Sequence, residues 1–211
     1  MHALIVFAHP DSTSHTHAVA KQIAEGIASA GEEHTFELVD LAAEGFDPRF
    51  SAADYQQFKG QTVLPDDVNA EQQRINRADA LVLVYPIYWW SFPAQLKGWI
   101  DRVFTQGWAY DERDGKLVKL LGHLPVHLIA LGGADQRTYA RYGYFGSMKT
   151  QIDQGIFGYC GAPVVTSELL LPSDEGYPDA HYRAAYRKGQ QLFLSGKKHD
   201  DSDLAASAAV T

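Results

Sequence analysis

Three short stretches of this chain carry residues whose types and spacing suit chemistry. The first is the hydroxyl-rich turn Asp11-Ser12-Thr13-Ser14-His15-Thr16, preceded by His9-Pro10. Where such a turn opens a helix, free N–H groups and the positive dipole end make an anion site without any basic residue. The Ser14 and Thr16 hydroxyls would add donors to a phosphate, and His9 would hydrogen-bond a phosphate or a ligand tail. The same residues suit plain helix N-capping, and their types leave both uses open. The second stretch is Tyr85-Pro86-Ile87-Tyr88-Trp89-Trp90-Ser91-Phe92-Pro93. Successive side chains diverge in a strand or a turn, so Tyr88, Trp89 and Trp90 cannot all enter a core. They suit the wall of a pocket for a flat, aromatic ligand. The third is Gly132-Gly133, followed by a Tyr- and Gly-rich segment, ADQRTYARYGYFG. Two residues without side chains let backbone N–H groups approach a planar ring and stabilise negative charge developing on it. A tyrosine hydroxyl from the segment over that pocket can give or accept a further hydrogen bond.

Metal chemistry is not what the histidines suggest. His15 and His17 stand two apart and diverge on a helix, and no cysteine or acidic pair near His9 completes a ligand set. The one cysteine, Cys160, sits among apolar neighbours in FGYCG and reads as a buried, inert thiol.

These stretches need elements to hold them. Ala3–Ala8 is a continuous apolar run that suits a central parallel strand covered on both faces. A helix with Val19, Ile23 and Ile27 on one stripe follows, with Gly31 as its stop. Residues 35–41 predict a second strand, and 42–69 a long excursion with a short helical piece. Glu71–Arg77 predicts a helix leading to a third strand at Leu81–Val84. After Pro93, whose missing N–H costs nothing in a first turn, Leu96, Trp99, Ile100, Val103 and Phe104 recur at helical spacing. Val126–Leu131 is a fourth strand, Ser147–Tyr159 a helix, Val164–Leu171 a fifth strand and Tyr182–Leu194 a last helix. Alternating strands and helices predict an α/β fold, a doubly wound parallel sheet of five strands with helices on both faces. The flavodoxin-like order 2-1-3-4-5 puts the ligand site beyond strands one and three, where the first two stretches fall. One domain spans residues 1–195. The polar, small-residue tail 196–211 reads as disordered.

At 211 residues and a formal net charge of -8, the chain suits one soluble domain and not a non-specific nucleic-acid binder. A lone cysteine fits a reducing cytoplasm. No stretch approaches the roughly 20 apolar residues that span a bilayer.

With these segments assembled, the chain resembles the flavodoxin-like NAD(P)H:quinone oxidoreductase family, the DT-diaphorase type and the small bacterial flavoproteins of potassium-efflux systems. The resemblance runs from about residue 3 to 194. It is carried by LIVFAHPDSTSHTHA, ADALVLVYPIYWWSFPAQLKGWIDRVFTQGWAY, IALGG with Tyr139, and GIFGYCGAPV. The resemblance implies a homodimer with a tightly held flavin at its interface, reduced by NAD(P)H and reoxidised by a quinone or related aromatic acceptor in a two-electron, ping-pong hydride transfer. In the family pattern His9, Ser14, His15 and Thr16 cradle the phosphate end. Pro86, Ile87, Tyr88, Trp89 and Trp90 line the isoalloxazine, with Trp89 and Trp90 also meeting substrate. Gly132 and Gly133 lie at the pyrimidine edge, Tyr139 matches the catalytic tyrosine, and Arg183 aligns near the nucleotide tail. Tyr110 would reach the partner's pocket. FAD is the expected flavin, since the 42–69 excursion offers contacts for an adenine; FMN is the alternative. A flavin-holding regulatory subunit of a potassium-efflux system is the runner-up function, and a one-electron carrier the third.

The chain departs from the pattern at one place. DT-diaphorase-type members carry a histidine six residues after the catalytic tyrosine, where this chain has Phe145, with Tyr144 beside it. Tyr139, with Tyr142 or Tyr144, would then have to stabilise the negative charge.

Overall fold

The computed structural model describes residues 1–194; the tail expected to be disordered lies outside them. The run at the N-terminus forms β1 (His2–Phe7), and its residues Ala3–Phe7 are all buried. Such a strand must be covered on both faces, and it is: β2 (Thr35–Asp40) and β3 (Ala80–Pro86) flank it in parallel. The order of the five-stranded parallel sheet is β2-β1-β3-β6-β7, with β6 at Val126–Leu131 and β7 at Val164–Leu170. It is the predicted 2-1-3-4-5 arrangement of a flavodoxin-like sheet once a two-stranded hairpin is set aside. That hairpin, β4 (Tyr110–Arg113) with β5 (Lys116–Lys119), stands outside the sheet and was not expected.

Helices cover both faces. On one, α1 (His15–Ala30) packs Val19, Ile23 and Ile27 against Ile5, Val82 and Ile129. It is joined there by the last helix, α7 (Asp179–Gln191), which starts three residues before the predicted Tyr182. The two helices approach to backbone contact at Gly26 and Gly189. A Cβ on Gly26 would run into the Tyr186 carbonyl oxygen, and one on Gly189 into that of Ile23. On the other face lie α3 (Asp66–Asn76) and α4 (Ala94–Val103), whose buried residues Leu96, Trp99 and Val103 follow the predicted stripe. Within the 42–69 excursion, α2 (Ala52–Phe58) supplies the helical piece. Asp54 of α2 and Asp67 of α3 both accept from Arg102 of α4, tying the three together.

The helix predicted at Ser147–Tyr159 takes an unusual form. After the short α5 (Gln136–Tyr142) and α6 (Tyr144–Met148), residues Lys149–Gly158 coil as a π-helix, burying Ile152, Asp153 and Phe157. Runs of this width are rare and collect near functional sites. Cys160 is buried, and burial pushes its thiol up to about 11, which makes it inert as read. Among the described residues no helix is long and apolar enough to cross a membrane.

Candidate active site

The parallel strands deliver the exits of β1, β3, β6 and β7 to one edge, and a cavity of about 280 Å³ opens there. His9, Ser14, His15 and Thr16 line one end of it, with Pro86, Ile87 and Tyr88 and then Gly132 and Gly133 along its length. Two segments far apart in sequence thus share a single space.

At the first end, Ser14 caps α1 by accepting the His17 N–H. Its hydroxyl also lies 2.8 Å from His17 Nδ1, while His17 Nε2 meets Asp40 at 2.7 Å. Of the two uses left open for Ser14, this geometry realises the cap. Thr16 differs. It is only 2% exposed, it lines the cavity, and its hydroxyl has no hydrogen-bond partner among the described residues. Among the described residues the one buried side-chain polar atom without a partner is His34 Nδ1, so the Thr16 hydroxyl is open to the cavity, where an acceptor can meet it. His9 Nδ1 meets both the Asp11 N–H, at 3.1 Å, and the Asp11 carbonyl oxygen, at 3.2 Å, which leaves Nε2 to face a ligand. His15 and His17 diverge: His17 turns to Asp40, and His15 turns to α7. Both ring nitrogens of His15 are engaged, Nδ1 with the Tyr182 hydroxyl at 3.1 Å and Nε2 with His181 Nδ1 at 2.9 Å. His15 therefore walls the cavity without offering a nitrogen to a ligand directly.

At the other end, Tyr88 and Ser91 exchange backbone hydrogen bonds at 3.1 Å around Trp89 and Trp90. Both tryptophans have left-handed backbone, with φ of 50° and 61°. This is the tight turn that normally demands Asn-Gly, and each bulky residue in it costs about 1–2 kcal/mol. Trp89 is 93% exposed, so no burial offsets that cost. Trp90 packs inward, stacked on Tyr144 and edge-on to Tyr139. Tyr88 alone of the three faces the cavity. The divergence expected of three successive aromatics is what the turn produces.

Gly132 and Gly133 play different parts. The Gly132 N–H donates to the Leu170 carbonyl at 2.9 Å, while the Gly133 N–H has no partner among the described residues. The donor role expected of both amides therefore falls to Gly133. A Cβ on Gly132 would collide with the Tyr139 hydroxyl and Leu171, so glycine there lets Tyr139 fold in over the sheet edge. Tyr139 is buried, and burial raises its pKa above the ordinary phenol value, which keeps it protonated as a donor.

Trp89, Trp90, Tyr139 and Tyr144 do not line this cavity, Tyr139 lining a neighbouring one with Gly143, Phe145 and Asp174, and two further expected site residues also lie elsewhere. Tyr110 lines a separate cavity of about 330 Å³ with Phe50, Tyr55, Phe58 and Phe104. Residues of the 42–69 excursion line that second cavity and not the first, so the contact for an adenine does not arise within one chain. Arg183 is exposed on α7, resting over Gly176 outside the cavity wall. Conversely, Pro172, Tyr177 and His181 line the first cavity, and His181 is bonded to Asp174 at 2.9 Å. The only sequence signal for them was a cluster of Asp, Tyr and His immediately after the fifth strand, at the edge where open sheets bind ligands. Among the described residues no cluster of side chains is arranged to hold a metal.

The chain as a whole is similar to known proteins. A family described by a flavodoxin-like fold matches residues 1–192. An NAD(P)H oxidoreductase of Haemophilus influenzae is 35% identical over 171 residues, 81% of this chain and 83% of its own length. NAD(P)H dehydrogenase (quinone) 1 of Rattus norvegicus is 30% identical over 200 residues, 84% of this chain and 71% of its own. The solved NAD(P)H:quinone oxidoreductase from Methanothermobacter marburgensis superposes with a TM-score of 0.82 at 33% identity, covering 91% of this chain and 98% of that one.

Proposed function

The chain belongs to the flavodoxin-like family of NAD(P)H:quinone oxidoreductases, and on that footing we propose that it is a flavin-dependent enzyme passing two electrons from NAD(P)H to a quinone or related planar acceptor. What carries the reading is the one cavity whose first end offers the unpaired Thr16 hydroxyl at the start of α1 and whose length runs between Pro86–Tyr88 and Gly132–Gly133. An anion-binding end joined to a flat end fits the phosphate and the ring of a single flavin. FAD is the flavin proposed, with FMN the alternative; the phosphate nearest the ring is common to both.

The residues present suit the group. His9 Nε2, the Thr16 hydroxyl and the first amides of α1 would hold the phosphate. Pro86, Ile87 and Tyr88 would line the ring. A flavin bound there supplies hydride exchange between nicotinamide and acceptor. The chain contributes placement and charge stabilisation. The Gly133 N–H and the Tyr139 hydroxyl would donate toward negative charge at the ring edge, and Trp89 and Trp90 would make the stacking wall where donor and acceptor take turns, with Tyr144 lying over Trp90 until an acceptor displaces it. Tyr144 stands with its ring centroid 6.5 Å from that of Tyr139, so a second phenol occupies the neighbourhood in which the family places a histidine. Arg183 is proposed for the nucleotide tail.

Two copies would complete the site. Phe50, Tyr55 and Phe58 are all more than half exposed around the cavity that holds Tyr110. Exposed aromatics grouped this way suit an interface, and a homodimer would carry Tyr110 toward the partner's pocket. Cytoplasmic residence agrees with a lone thiol.

Denaturing the purified protein and identifying the flavin released tests the reading directly. A colourless chain that takes up neither flavin overturns it. Robust NAD(P)H-dependent quinone turnover by the isolated chain separates the enzyme from a flavin-holding regulatory subunit.

A further inference from the structure

An unbroken hydrogen-bonded row crosses from α1 to α7 beside the anion end of the cavity. Tyr182 Oη lies 3.1 Å from His15 Nδ1, His15 Nε2 lies 2.9 Å from His181 Nδ1, and His181 Nε2 lies 2.9 Å from Asp174 Oδ2. The Asp174 oxygen also accepts the Leu171 N–H at 2.8 Å, which fixes it as the acceptor end. Both histidines line the cavity, and His181 is 3% exposed.

The donors and acceptors can be assigned from that fixed end. His181 Nε2–H donates to Asp174, leaving His181 Nδ1 as an acceptor. His15 Nε2–H donates to it, leaving His15 Nδ1 to accept the Tyr182 hydroxyl proton. In this arrangement both rings are neutral. One further proton fits on His15 Nδ1 if the Tyr182 oxygen turns from donor to acceptor. A second does not fit, because two N–H groups would then face each other across the 2.9 Å contact.

Resting on the flavin reading, we infer that the His15–His181 pair takes up one proton when the phosphate of a ligand enters the cavity, so that the site binds phosphorylated flavin more tightly as pH falls. The charge balance around the pair supports this. From the loop after β7, Asp174 supplies the one carboxylate in contact. From α7 come Tyr182 and, beyond it, Arg183, while the Tyr177 ring packs edge-on against both imidazoles. From the β1–α1 side, His17 is turned to Asp40, Asp11 is bound to Thr13, and His9 shares the cavity. A dianionic phosphate in the cavity would bring two negative charges beside the pair. Without it, burial and then the neighbouring His181 hold His15 below the ordinary imidazole range. An anion beside it reverses that balance, and by linkage the same coupling makes affinity fall as pH rises.

The test is calorimetric titration of FMN, FAD and riboflavin into the full chain, stripped of any flavin it carries, between about pH 5.5 and 8.5. Buffers of different ionisation enthalpy report the protons taken up. The expected result is uptake approaching one proton with FMN or FAD, an FMN affinity rising up to about tenfold per pH unit of acidification, and no such slope with riboflavin. The phosphate's own second ionisation, near 6, remains in His181→Gln, so that variant sets the baseline. It should lose the uptake while still binding FMN. Equal uptake in the two proteins, or none in the unaltered chain, overturns the inference while leaving the flavin site standing. Failure of all three flavins to bind overturns the flavin reading, and this inference with it.

Discussion

The ring of Trp90 lies flat on the ring of Tyr144, with centroids 3.6 Å apart and planes 13° from parallel. That spacing is one aromatic layer, so Tyr144 fills a face of Trp90 that a planar acceptor would use. Tyr142 lies beyond, at 5.3 Å from Tyr144, and extends the stack. An acceptor entering there must displace a ring that contributes about 0.5–1.5 kcal/mol.

Tyr144→Ala is accordingly expected to lower KM for a planar quinone by about two- to tenfold, whereas Tyr144→Phe should leave it unchanged. Steady-state kinetics on the two variants decide the point; a raised KM in Tyr144→Ala would mean that the ring contributes to the acceptor site instead of blocking it.

Trp89 invites a different expectation. Its exposed side chain contributes little packing, and its backbone sits at φ 50°. Replacing it with glycine should raise stability by about 1 kcal/mol, or some 2–4 °C in thermal midpoint for a chain of this size. The same change, like Trp89→Ala, should weaken substrate stacking. A midpoint that falls would show that contacts hold the tryptophan in place.

Tyr139 is assigned as a donor, not as a cofactor ligand. Tyr139→Phe should slow flavin reduction by NAD(P)H, by roughly a hundredfold if it acts as a single preorganised donor, while the flavin stays bound. Rapid-mixing absorbance measurements report both quantities. Unchanged reduction would remove the hydroxyl from the chemistry.

His127 sets an acid limit on the fold. It is buried on β6 against the Thr166 hydroxyl, and burial lowers its pKa to about 4. An unfolded histidine titrates near 6.5, so between these values the unfolded state binds the extra proton. Stability from this residue is present above about pH 6.5 and lost as pH falls toward 4, amounting to roughly 3 kcal/mol. Denaturant midpoints measured from pH 4 to 7 should show this slope in the unaltered chain and a flatter one in His127→Leu, whatever the variant's absolute stability.

Gly189→Ala probes how α7 is held. Its new methyl would meet the Ile23 carbonyl, forcing the helices apart at a cost of about 1–3 kcal/mol. A midpoint several degrees lower is expected, with weaker FMN binding because His181 withdraws from His15. An unchanged midpoint would mean that the helices can slide past each other without penalty.

How legible this was depended on which physical signal each part left in the residues. The central strands were plain, since a strand buried on both faces must be apolar throughout, as Ala3–Phe7, Leu81–Val84 and Val126–Leu131 are. Their order placed the first and third loops side by side. The hairpin escaped because its short strands are polar, although Asp114-Gly115 at its tip, with φ of 53° and 70°, is a turn signature. The π-helix escaped because ten residues cannot distinguish its period from that of an α-helix. At the site, local spacing pointed to His9 and Thr16, which line the cavity, but said nothing of His181, which meets His15 across 166 residues of chain.

That separation has a consequence for biogenesis. The partners of the row come from the first and the last helix, so a nascent chain holds one side of the cavity long before it owns the other. At 5–20 residues per second, roughly ten to thirty seconds of translation lie between them. Until α7 leaves the ribosome, His15 has no His181 and the phosphate end has no outer wall. On the proposed flavin reading, cofactor capture then waits for α7, and a truncation that removes this helix should yield an empty protein even where the sheet has formed.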